Sequence, residues 1–281
     1  MGANDPVERS IGGLLVEAGR LRAEDAEIIM RVQRERGLRF GEAGLSLGLL
    51  TPPDIDYALS RQFEYPYLLP GTSPVSPEVF AAYAPFSPEA EALRALRAQL
   101  LVRWFDDGPA RSALAIISAA PREGRSYIAA NLAVIFSQVG ERTLLIDADL
   151  RRPRQHQLFG VENRIGLSAV LAMRSNGESI QRIPGLPHLS LLPAGTIPPN
   201  PLELLSRPTF AALLQQMGAH YDVILLDSPA AGETADAHTL AVRAGAALMV
   251  VRKHKSRAAE VSAVSDMIPK AALVGAVVNT F

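Results

Sequence analysis

The sequence contains no cysteine, which excludes disulfides and thiolate metal sites. It also lacks long hydrophobic runs: its apolar stretches, such as Ala113 to Ile117 and Ala246 to Val251, fall well short of the roughly 20 residues that span a bilayer. The opening residues Met1-Gly2-Ala3-Asn4-Asp5 carry neither a basic flank nor an apolar core, so no signal peptide is expected and the chain reads as cytoplasmic. Net charge is nearly absent: 28 Lys and Arg against 29 Asp and Glu leave a formal charge of −1, which argues against a nucleic-acid partner. His156, His188, His220, His238 and His254 are scattered without ligand-like spacing, so no metal site is expected on them. What the 281 residues do have is a 48% apolar content, enough for the core of one large domain and a small one.

The first seventy residues repeat themselves. Gly12, Gly19, Asp25 and Gln33 recur 29 positions later as Gly41, Gly48, Asp54 and Gln62. In each copy an apolar stretch ends at the second glycine, and Leu21 or Leu50 precedes a helix start signal. Each copy therefore reads as a short helix, a glycine turn and a second helix ending at the glutamine, giving a small all-α domain over residues 1–70. Glycines at helix ends are also ordinary C-caps, so a dimerisation or docking module fits the pattern equally.

Residues 71–88 are punctuated by Pro74, Pro77, Pro85 and Pro88 and read as a semi-stiff linker. Glu89 to Phe105 then carries Leu93, Leu96, Leu100 and Leu101 at helical spacing beside arginines. Beyond Ser112 short β-rich runs alternate with helical stretches: Leu114–Ile117, Thr143–Ile146, Leu189–Leu192, Val223–Leu226, Ala247–Val251 and Val274–Val278. This alternation predicts an α/β domain over 89–281 with a mostly parallel sheet and helices on both faces.

Chemistry concentrates at three strand ends. Ile116-Ile117-Ser118 runs into Pro121-Arg122-Glu123-Gly124-Arg125-Ser126 and then into an apolar helix from Tyr127. Strand, turn and helix are what a phosphate loop needs, because backbone N–H groups converge there on an anion and a hydroxyl such as Ser126 can reach magnesium. Arg125 stands where the usual pattern has lysine, and Ala119 where it has its first glycine. Two further strands end in carboxylates, one at Asp147-Ala148-Asp149 and one at Asp227. In an open α/β sheet that edge is where ligands bind. A single aspartate there is also compatible with a helix N-cap. Magnesium takes a few hard oxygens and keeps several waters, so carboxylates with nucleotide phosphates suit it.

The phosphate turn, the apolar-Asp-x-Asp-x-Arg run ending at Arg151 and the strand ending at Asp227 resemble the nucleotide motifs of bacterial P-loop tyrosine kinases. Arg151-Arg152-Pro153 with His156, Gly166-Leu167-Ser168, Leu192 to Gly195 and Asp236-Ala237 extend the resemblance across 89–281. It implies a P-loop NTPase-type fold that binds ATP and Mg2+. Pro121, Arg122, Glu123, Gly124, Arg125, Ser126 and Tyr127 would hold ATP; Ser126, Asp149 and Asp227 would hold the metal; and Asp147 would orient or deprotonate the attacking phenol. Asp147, Asp149, Asp227 and Arg125 are the implied catalytic set. Glu91, Arg94 and Arg97 fit the family's Glu-x-x-Arg-x-x-Arg helix, which helps subunits assemble into a homo-oligomer; intrahelical ion pairs on a solvated face explain the same residues.

The N-terminal repeat resembles the N-terminal domain of type II secretion and pilus ATPases, some of which bind cyclic di-GMP. Ser10-Ile11-Gly12 with Gln33, and Arg39-Phe40-Gly41 with Gln62, match its paired motifs across the spacer Arg34 to Leu38. The resemblance implies that Ile11, Gly12, Gln33, Arg39, Phe40, Gly41 and Gln62 form a cyclic di-GMP site, with Leu50 also packing on the ligand. The combination resembles chain-length-determinant tyrosine kinases of exopolysaccharide operons. That kind implies activation by the cytoplasmic tail of a separate membrane chain-length-determinant protein, which would recruit the chain to the inner membrane. A catalytically weakened regulatory subunit and a P-loop ATPase are the alternatives. The family's tyrosine-rich C-terminal segment has no counterpart after Tyr221, so self-phosphorylation is expected on Tyr65, Tyr67 or Tyr83 in the linker rather than on Tyr127 or Tyr221.

Overall fold

The structure, a computed structural model, describes residues 10–62, 65–105, 112–175, 179–268 and 273–280. None of its described helices is long and apolar enough to cross a membrane. Two compact units divide between Pro66 and Tyr67.

The first unit contains α1 (Ile11–Glu17), α2 (Ala23–Arg36), α3 (Phe40–Ser46) and α4 (Pro52–Gln62). Its 29-residue repeat is reproduced bond for bond in the turns. Gly19 and Gly48 both lie at φ +67°, a left-handed conformation that glycine adopts without the steric cost of a Cβ. Around them Leu21 N–H donates to Leu15 O and Leu50 N–H to Gly44 O, each at 3.2 Å, closing the preceding helix. The copies interlock: α1 packs against α4, and α2 against α3. Leu15, Leu21 and Ile29 of the first copy thus share one core with Ala43, Leu50 and Ala58 of the second. Arg20 adds a cross-copy ion pair to Asp54 at 2.8 Å. Leu50, expected on a ligand-facing surface, is instead buried in this core, where the absent side chain of Gly44 makes room for it. The second helix of the first copy also runs past Gln33 to Arg36, where Gly37 at φ +65° ends it.

In the second unit, α5 (Pro88–Arg103) opens with Ser87 Oγ accepting the Ala90 N–H, an N-cap with proline at the first turn. A seven-stranded sheet follows: β1 (Ala113–Ile117), β2 (Thr143–Asp147), β3 (Gln181–Arg182), β4 (Leu189–Leu192), β5 (Val223–Asp227), β6 (Ala247–Arg252) and β7 (Leu273–Asn279). Their spatial order is β3-β4-β2-β5-β1-β6-β7, with every pairing parallel except the antiparallel contact of β3 with β4. All six predicted runs are strands; the two-residue β3 carries too little pattern to be seen in sequence. Side-chain alternation divides the core into two faces. Leu114 and Ile116 point to α5, α6 (Arg125–Ser137) and α7 (Gln155–Phe159). Ala113, Ala115 and Ile117 point to α8 (Leu167–Leu171), α9 (Pro201–Ser206), α10 (Pro208–Gly218), α11 (Asp236–Ala244) and α12 (Ala258–Met267).

The expected spacer over 71–88 is corrected by its packing. From Tyr67 onward the segment belongs to the second unit, and Leu68, Val75, Val79, Ala81 and Ala82 are buried in its core. The cause is α6, which is buried from Ile128 to Ser137 and so has no polar face to leave toward water. One side meets the sheet, and the other is covered by this segment. Asn131, fully buried in α6, fixes it there: its Oδ1 accepts the Ala81 N–H at 3.0 Å and its Nδ2 donates to Glu78 O at 3.0 Å and Tyr127 O at 2.9 Å. Gln138 Nε2 donates to Ala81 O at 2.9 Å. Tyr83, expected as an acceptor in an extended linker, is half-buried with its hydroxyl donating to Val75 O at 2.5 Å. Replacing Asn131 with alanine strands the Ala81 N–H and the Glu78 carbonyl in a buried site, and we expect urea denaturation to report a loss of about 2–4 kcal/mol. A loss below about 0.5 kcal/mol would show that apolar contacts alone hold the segment.

Candidate functional site

Strand order explains why three distant sequence segments meet. β5 lies between β1 and β2, with Ile116 opposite Asp227 and Asp227 opposite Asp147. The turn after β1 and the carboxylates ending β5 and β2 therefore stand side by side at one sheet edge.

The turn is held by its own side chains. Gly124, at φ +101°, forms the N-cap of α6, and a Cβ there would lie 2.1 Å from Asn279 Nδ2, which donates to Glu123 O at 3.0 Å. Only glycine fits. Glu123 is fully buried; its Oε2 accepts the Ala120 N–H at 2.8 Å and its Oε1 accepts the Ser256 hydroxyl. Its side chain is thus an internal strut, turned away from any ligand. Arg125 is also nearly buried: Nε donates to Ser228 O at 2.8 Å, and Nη1 donates to Ala120 O at 2.9 Å and to Ser118 Oγ at 2.5 Å.

The carboxylates form an unbalanced cluster. Asp147 is fully buried; its Oδ2 accepts the N–H groups of Arg154 at 3.0 Å and Gln155 at 2.9 Å, while its Oδ1 has no partner. Asp227, also fully buried, accepts from Gln155 Nε2 at 2.7 Å, and its Oδ1 likewise has no partner. Asp149 Oδ1 accepts the N–H groups of Arg151 at 3.2 Å and Arg152 at 2.9 Å. Burial, then the neighbouring Asp227 charge, push the Asp147 carboxyl well above the ordinary range. Burial pushes Asp227 from 3.8 up to about 6 against the opposing pull of Gln155, Ser126 and Arg125. Capping of a helix start accounts for one oxygen of Asp147 and for neither unpartnered oxygen. Two buried, unpartnered carboxylate oxygens suit a hard divalent cation completed by water and phosphate, and Ser126 brings a hydroxyl to the same place. Among the described residues no three acidic or histidine side chains form a metal cage by themselves.

A cavity of about 490 Å3 opens at this edge, walled by Gly124, Ser126, Tyr127 and Asp149 together with arginines 122, 125, 152, 154 and 252. So much positive charge around Gly124 suits a polyanion. Next to it an apolar groove of about 380 Å3 shares Tyr127 and Asn279 and adds Phe80, Leu93, Val277 and Val278. Tyr127 stacks on Phe80 with ring centroids 5.7 Å apart, and burial followed by Glu89 and Glu78 raises its phenol pKa.

Sequence reasoning thus locates the turn and all three aspartates, and the structure brings them together. Gln155 was missed. It bridges the ends of β2 and β5 and the start of α6, binding Asp147 through its N–H and Asp227 and Ser126 O through its side-chain amide, yet no local pattern distinguishes one glutamine at the start of a five-residue helix. Arg154 and Arg252 were missed too, since their relevance comes only from cavity position. Arg151 and Asp236, noted separately in sequence, form a two-bond ion pair at 2.7 and 3.1 Å. On α5, Glu91 pairs with Arg94 at 2.6 Å, the intrahelical alternative, whereas Arg97 Nε is buried without a partner. In the first unit, Phe40 lies against Gly12, where a Cβ would approach its ring to 2.9 Å, and Ile55 lies against Gly41. Ile11 and Gln33 are half-buried, while Arg39 and Gln62 are exposed at the start of α3 and the end of α4.

Residues 114–274 match the family described as Cellulose biosynthesis protein BcsQ. Tyrosine-protein kinase YwqD of Bacillus subtilis (strain 168) is 36% identical over 203 residues, covering 72% of this chain and 85% of its own. A putative tyrosine-protein kinase EpsB of Ralstonia solanacearum is 36% identical over 183 residues, 65% of this chain, but the match spans only 24% of that protein. The solved kinase domain of Escherichia coli tyrosine kinase ETK superposes with a TM-score of 0.67 at 33% identity, covering 72% of this chain and 79% of that one. The chain belongs to the bacterial tyrosine-protein kinase family, whose P-loop α/β fold it shares with the BcsQ type.

The paired carboxylates fix a pH dependence. A carboxyl whose folded pKa lies above its unfolded value costs no stability below the unfolded pKa, and the cost grows as pH rises through the folded one. With Asp227 at about 6 against 3.8, metal-free stability should fall between these values. Asp227→Asn removes the charge. At pH 8 in a chelator it should unfold later than the wild type by about 3 kcal/mol, at ~1.4 kcal/mol per pKa unit, with the difference closing near pH 4. Thermal melts across that range decide, and a variant less stable than wild type at pH 8 would mean that the charge is already compensated.

Proposed function

We propose that this chain is an ATP-dependent protein-tyrosine kinase acting in exopolysaccharide polymerisation or export. The observation that carries the reading is the pair of buried, unpartnered carboxylate oxygens beside an arginine-walled cavity, in a chain whose relatives are named tyrosine-protein kinases. Phosphates of ATP sit in the cavity against the N–H groups around Gly124, and the neighbouring apolar groove takes the base. Ser126, Asp149 and Asp227 hold Mg2+, which supplies charge neutralisation at the phosphates. Asp147 orients the tyrosine hydroxyl and takes its proton as the phenolic oxygen attacks the γ-phosphorus and ADP departs. Its raised affinity for protons favours that acceptance.

A second reading has a specific observation behind it: Nε and Nη1 of Arg125 are occupied by loop and β5 carbonyls, so this loop gives less charge to the transition state than a free lysine does. A regulatory subunit that binds ATP and transfers phosphate poorly fits that feature. Anti-phosphotyrosine blotting separates the two. With a membrane chain-length-determinant partner whose cytoplasmic tail activates it, the wild-type chain should label itself or the partner, and Asp147→Asn should lower labelling about 100-fold or more while ATP binding persists. ATP binding without phosphotyrosine in the wild type favours the regulatory subunit; steady hydrolysis without phosphotyrosine favours a P-loop ATPase. Recruitment to the inner membrane through that partner, and homo-oligomerisation through α5, belong to the same proposal.

The N-terminal unit is read as a cyclic di-GMP sensor. Its support is the complete spacing of the paired motifs together with exposed Arg39 and half-buried Ile11 and Phe40, a cation next to apolar surface. Calorimetry of the full chain with cyclic di-GMP should give saturable heat, and Arg39→Ala should weaken binding about tenfold or more. No heat up to high micromolar ligand would leave the unit a docking module.

A further inference from the structure

The charge that the usual phosphate-loop pattern places on a lysine is divided here between two arginines. Arg125 faces inward, its Nε and Nη1 spanning from Ser118 and Ala120 in the turn to Ser228 after β5. It closes the loop on the sheet. Arg122 does the opposite. It sits at φ +60°, a backbone conformation that residues with a Cβ rarely adopt, although the turn uses glycine at φ +101° two residues on. Two cations hold it there: Arg252 Nη1 and Lys255 Nζ donate to the Arg122 carbonyl at 2.9 and 3.2 Å. This fixes the backbone of an exposed residue that lines the cavity.

The other arginines of the cavity wall have work elsewhere. Arg152 pairs with Glu233, Arg154 with Glu78 at 2.7 Å, and Arg252 with the turn itself. Arg122 has no acidic or carbonyl partner for its guanidinium among the described residues. Nothing within the turn rewards an arginine at a left-handed position, where glycine is free of strain; an anion in the cavity does.

We propose that Arg122 is the phosphate-contacting cation of this site and that Arg125 is a positioning residue that holds the turn in shape. The proposal rests on the reading of the cavity as an ATP site. Its consequence is a trade between stability and affinity at one residue. Arg122→Gly should raise the melting temperature of the nucleotide-free chain by a few degrees, because a strained residue is replaced by one suited to positive φ. The same change should weaken ATP binding about tenfold to a hundredfold, the range for losing a charge-assisted contact. Its affinity should also fall less steeply with added salt. Arg122→Lys keeps the charge and should stay within about threefold of wild type, while Arg122→Ala should lose affinity without gaining stability. Arg125→Lys should lower the melting temperature, since a single ammonium cannot span the same carbonyls.

Fluorescence titration with a labelled ATP analogue, run with Mg2+ at several salt concentrations alongside thermal melts, reads all of these. Tighter ATP binding by Arg122→Gly, or binding unchanged, would overturn the proposal and make Arg122 an obstruction or a bystander. No ATP binding by the wild-type chain would overturn the nucleotide reading itself.

Discussion

The site depends on two like charges that the fold buries next to each other and does not neutralise. Asp147 and Asp227 are opposite one another on adjacent parallel strands, each fully buried and each with one oxygen lacking a partner. The positive charge that acts on Asp227 is that of Arg125, and burial outweighs it. A fold selected for stability alone would put valine or leucine at the tips of these strands. Keeping two carboxylates instead stores an affinity for something positive, whether a proton or a metal ion, at the one edge where the phosphate turn also ends.

Around that pair, α6 couples the turn to the rest of the unit. A helix that is apolar all round must be covered all round, so the residues before α5 fold back over it instead of spacing the units apart. Asn131 then has a position no surface asparagine has, hydrogen-bonded to Tyr127 on the turn side and to Glu78 and Ala81 on the covering segment. Glu78 in turn meets Arg154 at the cavity wall. The covering segment is therefore continuous with the site through side chains, and a change in the cavity has a physical route to it.

Much of the second unit was legible because its central strands β1, β2, β4 and β5 are buried throughout. Runs such as Leu114–Ile117 and Val223–Leu226 are short, wholly apolar and end at glycine, proline or aspartate signals, so type and order follow from pattern. The aspartates were legible for the same reason: a charge ending an apolar strand breaks the pattern. What escaped the sequence are residues whose meaning is relational. Gln155 looks like any polar residue at a helix start until β2 and β5 are seen side by side. The segment from 71 to 88 has the prolines of a linker, and only the missing polar face of α6 says that something must lie on it. Arg125 occupies the lysine position of the loop pattern, and nothing local says that its partners Ser118 and Ser228 come to it from the ends of two different strands.

The first unit makes the opposite case, in which a repeat visible in sequence does not describe a repeated structural module. Helices α1 and α2 belong to one copy by sequence, yet each finds its main partner in the other copy, and the seven buried residues of the core come from both. Neither half can bury its apolar face alone, so folding of the two is one event. Differences between the copies then acquire weight. The first copy has Ser10 before α1, where its hydroxyl caps the Gly13 N–H; the second has Arg39 before α3, where the Glu42 carboxylate takes over the capping through the Arg39 N–H and leaves the guanidinium exposed. One copy has kept a helix cap where the other presents a cation. Because the two share a core, a ligand held by the second copy's arginine acts on the stability of both.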